Sequence, residues 1–477
     1  MFYRRITTEG LAHHSYFVSE GGEAVVIDPR RDVDVYVQLA REQGVNIRHV
    51  LETHRQEDFV IGSTELAART GATVRHGGAL PFRYGDAIED GEELAVGRLR
   101  LRALATPGHT RESMSYALRD TASGDDPVIA FTGDALFVGE VGRTDLYGGH
   151  RREELAGWLY DSIFQRLLPL GDWVILAPAH GGGSVCGGEI LDRDESTLGH
   201  ERRHNPRLAV EDREAFVQRK ADERLVVPPY FRLMERYNLE GSPLLGSWRM
   251  PEALPPEELD RRAREGAVIV DLRMPQAFAG GHIPGATSIW LAGLSLYAGW
   301  VLPLDRQLLL VGDPATDMAL AQRMLARVGF DRLAGFLRGG FESWQNSGRP
   351  IARQRTVSVQ EALTEQRRGA LILDVRNPDE WRSAMIPGSL PIDLAELEGR
   401  LDELPRDQPI IVTCSVGHRG AIGASILQRH GLVDVANMLG GTSAWKQVGQ
   451  PLAPGLDAVT ISRLTATTDQ PAAREDS

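Results

Sequence analysis

The C-terminal half of the chain repeats itself, and this repeat limits the possible folds more than any other feature of the sequence. Three segments recur at an offset of about 102 residues. A repeat of this length predicts two copies of one domain rather than a solenoid of short units. The paired segments are 267–275 with 370–378, 283–286 with 386–389, and 336–344 with 438–445.

The second copy contains a loop that is suited to sulfur chemistry. Between a predicted strand at 410–413 and a predicted helix at 421–429 lies C-S-V-G-H-R-G. A short loop before a helix can turn its backbone N–H groups towards an anion, and the helix N-terminus adds positive charge. These donors and Arg419 are expected to favour the thiolate of Cys414 and to stabilise a persulfide on it. The predicted catalytic residues are Cys414 and Arg419, and the predicted persulfide loop contains Ser415, Val416, Gly417, His418 and Gly420.

The first copy lacks this chemistry. At the position of the cysteine it has Gly312, and at the position of the arginine it has Asp317. A carboxylate repels anions, and Pro314 removes an N–H group from the loop. The first copy is therefore predicted to be an inactive scaffold.

Four potential metal ligands in the N-terminal half each follow a strand-like apolar run and stand at a turn. They are His54, His109, Asp134 and His180, and Asp58 lies on the same loop as His54. A single histidine of this kind is usually a satisfied core or surface residue. Ligands bind beyond the carboxyl ends of strands in open α/β sheets, so the four together predict a common site.

Taken together, the motifs around these residues resemble the motifs of a known family. They are T-H-R-Q-E-D-F at 53–59, T-P-G-H-T at 106–110, F-T-G-D-A-L-F at 131–137 and P-A-H-G at 178–181. The set resembles the metallo-β-lactamase fold, and with V-G-R-T-D-L at 141–146 it resembles the persulfide dioxygenases and the related glyoxalase II enzymes. The resemblance covers about residues 1–235. Gln56 and Phe59 replace two histidines of the T-H-x-H-x-D-H signature.

The resemblance implies a mononuclear metal site. Phe59 cannot bind a metal ion, so a tight two-metal site is not expected. In the persulfide dioxygenases the matching residues hold one Fe(II) per chain, here His54, His109 and Asp134, with zinc as the alternative metal. Two histidines and one carboxylate leave coordination positions open, as in non-haem iron oxygenases. The residues expected to support these ligands in a second layer are Gln56, Asp58 and His180.

Two further residues are predicted to contact the substrate. Arg143 is expected to bind the carboxylates of a glutathione-like substrate, and a surface salt bridge with Asp145 explains it equally well. Cys186 lies in a glycine-rich stretch six residues after His180, where the backbone can approach a ligand closely. The alternative for Cys186 is a small buried apolar residue.

The predicted fold class is α/β, with an αββα metallo-β-lactamase sandwich followed by two α/β domains. The repeated segments resemble the rhodanese family, which implies a parallel sheet flanked by helices. Prolines mark an extended linker between the halves, and the C-terminal end is polar. The predicted boundaries are 1–235 for the first domain, 236–256 for the linker, 257–352 for the inactive copy, 353–455 for the active copy and 456–477 for a disordered tail.

Composition limits the partners and the cellular location that can be expected for the chain. The net charge of -13 argues against a nucleic-acid partner, because phosphate contacts need a basic face. No apolar run is long enough for a membrane span, and the first residues lack the apolar core of a signal peptide. The chain has two cysteines, which form no disulfide framework. A cytoplasmic protein is expected, with a homo-oligomer among the assembly states left open.

These features together predict a bifunctional enzyme of sulfur metabolism. The first domain is expected to oxidise a low-molecular-weight persulfide with O₂ to sulfite. The active copy is expected to move sulfane sulfur through Cys414, with sulfite or thiosulfate among its partners. Two alternatives are a thioester hydrolase of the glyoxalase II type, and a sulfur carrier whose first domain binds no metal.

Overall fold

The computed structural model divides into two compact units. One contains Met1–Trp248 with Arg323–Gly329, and the other contains Arg249–Gln322 with Phe330–Ser477. The structure describes residues 1–464 except 185, 188, 189, 194, 211, 224, 247, 248, 458, 459, 462 and 463. The greater part of the predicted disordered tail lies outside the described residues. None of the described helices is long and apolar enough to cross a membrane.

The first unit is built on two six-stranded sheets. The first sheet has the order β1-β2-β3-β4-β5-β6 and the second has the order β12-β11-β10-β9-β8-β7. The strands are β1 (Phe2–Thr8), β2 (His13–Glu20), β3 (Glu23–Ile27), β4 (Asn46–Leu51), β5 (Thr73–Gly77), β6 (Asp86–Ile88), β7 (Glu93–Val96), β8 (Leu99–Ala105), β9 (Met114–Asp120), β10 (Ile129–Gly133), β11 (Ile175–Pro178) and β12 (Ser196–Thr197).

Helices cover the outer faces of both sheets. In β2, Tyr16 and Val18 point into the core between the sheets, while Phe17 packs towards the helices outside. This alternation buries both faces of the strand, as the period of two requires. The predicted αββα sandwich is confirmed. The helices are α1 (Asp34–Gln43), α2 (Ser63–Thr70), α3 (Arg152–Asp161), α4 (Leu198–His204), α5 (Arg213–Ala221) and α6 (Phe231–Glu240), with a π-helix at Ser162–Leu167 and 3₁₀ turns at Gly149–Arg151 and Leu168–Leu170.

The loops that follow β4 and β10 meet at one edge of the sandwich. Gly133 has φ = +54°, and a Cβ there would lie 2.7 Å from the side chain of Thr53, so only glycine fits. Main-chain bonds join the same edge, from Met114 N to Thr53 O (2.6 Å) and from Ala179 N to Gly133 O (3.0 Å). This close approach is what brings the predicted ligand residues together.

The second unit contains two all-parallel five-stranded sheets of equivalent order, β13-β17-β16-β14-β15 and β18-β23-β22-β19-β21. A two-stranded sheet pairs β20 with β24. The strands are β13 (Ala253–Leu254), β14 (Val268–Asp271), β15 (Thr287–Ser288), β16 (Leu308–Val311), β17 (Leu333–Leu337), β18 (Arg355–Val357), β19 (Leu371–Asp374), β20 (Ala384–Met385), β21 (Leu390–Pro391), β22 (Ile410–Thr413), β23 (Val435–Met438) and β24 (Ala453–Pro454).

Helices alternate with these strands, as the predicted domain type requires. The predicted pair of α/β domains is confirmed. The helices are α7 (Pro256–Arg264), α8 (Pro275–Gly280), α9 (Leu294–Val301), α10 (Met318–Arg327), α11 (Gly340–Asn346), α12 (Val359–Arg367), α13 (Pro378–Ser383), α14 (His418–Arg429) and α15 (Gly441–Gln447), with 3₁₀ turns at Leu291–Gly293 and Leu397–Glu403.

The two copies share buried polar details as well as strand order. Arg273 forms a salt bridge with Asp271 at the end of β14, and Arg376 forms the same bridge with Asp374 at the end of β19. Both carboxylates are fully buried. The shared D-x-R segment therefore fixes the turn that follows the corresponding strand in each copy.

The domain boundaries remain predictions. Helix α6 runs across the predicted end of the first domain at 235, and α7 begins at the predicted end of the linker at 256.

Candidate metal centre and sulfur-transfer loop

The predicted metal ligands lie together at the edge of the sandwich. His54 follows β4, His109 follows β8 and Asp134 follows β10 directly. Their side chains are almost completely buried. Nε2 of His54 lies 3.7 Å from Oδ2 of Asp134, and Nε2 of His109 lies 3.5 Å from the same oxygen. The three atoms therefore face one small volume.

A fourth side chain, which the sequence motifs did not predict, completes this group. Glu57 is fully buried, with Oε1 3.0 Å from Nε2 of His109 and Oε2 3.7 Å from Nε2 of His54. The ligand atoms of His54, Glu57, His109 and Asp134 all lie within 4.8 Å of one another. The i, i+3 spacing of His54 and Glu57 was a signal that could have identified it.

Contacts behind the ligands fix their tautomers. Thr53 Oγ1 donates to Asp28 Oδ2 (2.7 Å), so it accepts from Nδ1 of His54 (2.9 Å). Nδ1 of His109 donates to the carbonyl of Arg143 (3.0 Å). In both rings Nε2 is the nitrogen that faces the cluster, which is how metal-binding histidines are usually oriented.

Charge in the cluster is concentrated and buried. Burial favours the neutral carboxyl, yet the imidazoles of His109 and His54 hold the pKa of Glu57 below its ordinary value. Burial alone would lower the pKa of His109, but the carboxylate of Glu57 raises it to about 9. Burial lowers the pKa of His54 to about 4. A carboxylate between two imidazoles binds protons in the metal-free protein. A metal cation can bind to the same atoms in place of those protons.

The residues fit a divalent cation. Nε2 of His54, Nε2 of His109 and both carboxylate oxygens of Glu57 have no hydrogen-bond partner among the described residues. Leaving so many buried polar atoms unpaired is costly. A metal ion bound by these two imidazoles and two carboxylates removes that cost and balances the two negative charges.

The residues predicted to support the ligands lie next to them. Nδ1 of His180 lies within hydrogen-bond distance of both carboxylate oxygens of Asp134, at 2.8 Å from Oδ1 and 3.1 Å from Oδ2. Gln56 Nε2 lies 3.4 Å from Nδ1 of His54, so the amide packs beside this ring. Asn238 Nδ2 donates to the carbonyls of Gln56 and Phe59, both at 2.7 Å, and so holds the loop from α6.

The second unit places Cys414 directly after β22, as predicted. The backbone N–H of Gly417 donates to Sγ of Cys414 at 3.0 Å. Gly417 has φ = +98° and precedes α14, so the loop turns its amide towards the sulfur at the start of that helix. A Cβ at Gly420 would lie 2.3 Å from Oδ1 of Asn437, and Asn437 Nδ2 donates to the carbonyl of Gly417 (3.0 Å).

Arg419 is held by an acidic partner that was not predicted from the sequence. Its guanidinium donates to Glu380 at 2.6 and 2.8 Å and to Oγ of Ser415 at 2.8 Å. Burial opposes ionisation of Glu380, but Arg419 and Ser415 lower its pKa to about 2. The pair therefore ties the loop to α13, and Arg419 reaches the loop with part of its charge already neutralised.

Comparison with known proteins identifies both kinds of domain. The metallo-beta-lactamase superfamily model matches residues 8–180, and the rhodanese-like domain model matches residues 255–347 and 358–448. A metallo-beta-lactamase from Staphylococcus aureus subsp. aureus COL is 30% identical with a TM-score of 0.62, over 71% of this chain and 99% of that one. The chain belongs to the metallo-beta-lactamase superfamily. Two rhodanese-like domains follow its lactamase domain.

Two curated relatives of the lactamase domain are named for persulfide oxidation. The proteins called persulfide dioxygenase ETHE1, mitochondrial, from Bos taurus and Homo sapiens are each 32% identical to this chain. The matches extend over 200 and 196 residues, which is 40% of this chain and 68% of each relative.

The first rhodanese-like domain matches the second in register but not in chemistry. The carbonyl of Gly312 accepts from the amide of Phe341 (2.9 Å), as the carbonyl of Cys414 accepts from Thr442 (2.8 Å). The glycine thus occupies the backbone position of the cysteine. From this domain, the ring of Trp290 contacts His418 of the loop at 4.6 Å between centroids. The scaffold role of the first domain stays a prediction.

Arg143 lies inside the lactamase domain, not on its surface. Its guanidinium is fully buried and binds Asp145 at 2.7 and 2.9 Å. The structure therefore forms the predicted salt bridge, but in the interior. Substrate binding by Arg143 stays a prediction, whereas its carbonyl has a direct role in orienting His109.

We expect Thr53→Val to weaken metal binding. Valine keeps the shape beside Gly133 but leaves Nδ1–H of His54 without its acceptor, and loss of such an outer contact typically weakens affinity about 10- to 100-fold. Competition with a coloured chelator measures the change in Kd. Thr70→Val, which removes a hydroxyl bonded to Leu66 O on α2, is the matched control. An unchanged Kd for Thr53→Val would refute this tautomer assignment.

We expect Glu380→Gln to slow sulfur transfer by at least about tenfold, because a hydrogen bond to a charged group contributes about 1.5–3 kcal/mol. Arg419→Lys should have a similar effect, since lysine cannot form the two parallel bonds. Thiosulfate:cyanide sulfurtransferase assays measure both. Glu365→Gln, which removes a partly exposed partner of Arg355 in the same domain, should leave the rate unchanged. Equal rates for Glu380→Gln and the wild type would show that this ion pair does not order the loop.

Proposed function

We propose that the chain is a bifunctional enzyme of sulfur metabolism. Its lactamase domain oxidises a low-molecular-weight persulfide to sulfite with O₂, and its second rhodanese-like domain transfers sulfane sulfur through Cys414. The observation that supports this best is the buried cluster of His54, His109 and Asp134 at a sheet edge, in a domain related to proteins named persulfide dioxygenases.

The overall oxidation balances as RSSH + O₂ + H₂O → RSH + SO₃²⁻ + 2 H⁺. Bound Fe(II) supplies the redox chemistry that couples O₂ to the sulfane sulfur. We assign His54, His109, Asp134 and Glu57 as the residues that hold it. These four side chains would hold the ion from the protein side and would leave its remaining coordination positions to the substrates.

The protein positions the four ligand side chains, supplies their charge and excludes water from the site. All four side chains have at most 2% of their surface exposed, so electrostatic interactions among them are only weakly screened. Thr53 and the carbonyl of Arg143 orient the two rings, and His180 orients Asp134. A glutathione-like thiol is the carrier that we propose.

The transfer step at Cys414 balances as Cys–S–S⁻ + SO₃²⁻ → Cys–S⁻ + S₂O₃²⁻. Sulfite attacks the outer sulfur, the S–S bond breaks and the electron pair returns to the cysteine. The amide of Gly417, which donates to Sγ, is placed to stabilise the thiolate that forms. Arg419 and the loop residues Ser415, Val416, His418 and Gly420 shape the anion site. Because one chain carries both sites, sulfite made at one is delivered at a raised effective concentration to the other.

We expect about one iron per chain when the protein is produced with iron and purified without oxygen. Iron content, measured by plasma mass spectrometry, should fall to background in His54→Ala, His109→Ala and Asp134→Ala, because each removes a ligand from a buried site. Glu9→Gln, an exposed acidic position, is the control. Zinc at the His54 cluster, with hydrolysis of glutathione thioesters and no oxygen uptake on glutathione persulfide, would instead identify a glyoxalase II-type hydrolase.

The two activities should separate by mutation, because they use different residues. Cys414→Ser should abolish sulfur transfer and leave oxygen uptake on glutathione persulfide within about twofold of the wild type. His109→Ala should do the reverse. Thiosulfate formation from persulfide and O₂ should need both sites. Loss of oxygen uptake in a folded Cys414→Ser protein would contradict the assignment of independent sites.

A further inference from the structure

The end of one helix from the first rhodanese-like domain packs as part of the lactamase unit. The rhodanese-like domain model matches residues 255–347, which include all of α10. Residues Arg323–Gly329, the last turn of α10 and the turn after it, nevertheless fall within the first compact unit. A part of the lactamase unit is therefore supplied by a segment that the sequence places in another domain.

A buried ion pair anchors this segment. Nε and Nη2 of Arg327 donate to Oδ1 and Oδ2 of Asp32, each at 2.8 Å, so the two groups form parallel bonds. Both side chains are only 5% exposed. Nε of Arg30 lies 3.2 Å from Oδ2 of the same carboxylate. A bidentate pair is held in one geometry, and losing one partner leaves a buried charge. Asp32 therefore fixes where the end of α10 lies.

The main chain at the end of α10 binds to the lactamase domain as well. The last carbonyls of a helix have no partner within the helix. Here the carbonyl of Ala326 accepts from Nη1 of Arg31 (2.9 Å), and the carbonyl of Arg327 accepts from the backbone N–H of Val60 (2.7 Å). Val60 is completely buried, so its N–H group needs an acceptor within the protein. The helix end and the loop that carries Val60 thus satisfy each other's polar groups.

Val60 lies at the end of the loop that carries proposed metal ligands. Residues 52–60 contain no helix or strand, so their position depends on the contacts that tie them down. The helix end binds the amide of Val60, and Oδ1 of Asn238 accepts from the next amide, that of Ile61 (2.9 Å). Glu57 stands a few residues before these fixed points. Its carboxylate can face the cluster only while the end of the loop is held in place.

We propose that Arg327 is a positioning residue for the metal centre. Its side chain sets the end of α10 on Asp32, and its carbonyl then holds Val60 and, through the loop, the placement of Glu57. Arg327 itself touches neither metal nor substrate. This role rests on the metal ligands assigned under the proposed function. It makes the first rhodanese-like domain, which has no cysteine in its loop, a requirement for tight metal binding by the lactamase domain.

The metal affinity of the full-length protein tests this role. Co(II) alone serves as an air-stable probe, and competition with a coloured chelator gives the Kd of its first equivalent. We expect Arg327→Met to raise this Kd at least about tenfold, because loss of a contact that orients a ligand typically weakens affinity about 10- to 100-fold. Arg327→Lys keeps the charge but cannot form two parallel bonds, so its loss should be smaller. Arg323→Met, at a partly exposed position of the same helix, should leave the Kd unchanged.

Hydrogen exchange separates positioning from general stability. In metal-free Arg327→Met, the amides of residues 55–61 should exchange faster than in the wild type, while those of residues 106–114 should not change. An unchanged Kd in Arg327→Met would overturn the proposal. A weaker affinity without selectively faster exchange at 55–61 would also overturn it, because the arginine would then only stabilise the whole domain.

Arg327→Lys carries the same two measurements if the methionine variant does not fold. Oxygen uptake on persulfide tests the proposed function separately. Co(II) binding that depends on Arg327, in a protein without oxygen uptake, would support this role and refute only the proposed oxidation.

Discussion

The lactamase domain depends on one physical constraint: buried carboxylates at the sheet edge must be balanced by positive charge. Glu57, Asp58 and Asp134 all lie within the protein with at most 2% exposure. The rings of His54, His109 and His180 face them, and several of their polar atoms have no partner among the described residues. Such a cluster is stable only with protons or cations in it. The chemistry of the domain follows from that requirement.

The fold produces this cluster by bringing loops of two sheets to one edge. Gly133 lets the end of β10 approach Thr53 after β4, and main-chain bonds hold the loops together. Thr53 and the carbonyl of Arg143 then select the ring nitrogens that face the cluster. The rigid strands thus fix where the side chains of the cluster lie. The loop residues set the orientation of the histidine rings and provide the charge.

The two rhodanese-like domains share one architecture, but only the second has a cysteine and an arginine in the loop after its central strand. Both sheets have equivalent strand order, and Gly312 occupies the backbone position of Cys414. A thiol, a nearby amide from Gly417 and an arginine distinguish the loop of the second domain from the loop of the first. The core and the D-x-R turns are kept in both, because they maintain the fold independently of the chemistry.

The sequence by itself determined the repeat, the sandwich and the strand-end positions of His54, His109, Asp134 and Cys414, because periodicity and local motifs are short-range information. It also showed that Phe59 cannot bind a metal. Only the tertiary structure decided what surrounds those residues. Glu380 binds Arg419 from 39 positions away. Cys186, on the loop after β11, lies beside Asp58, on the loop after β4. Side chains that meet through the packing of distant elements leave no local pattern, so their pairing depends on the completed fold.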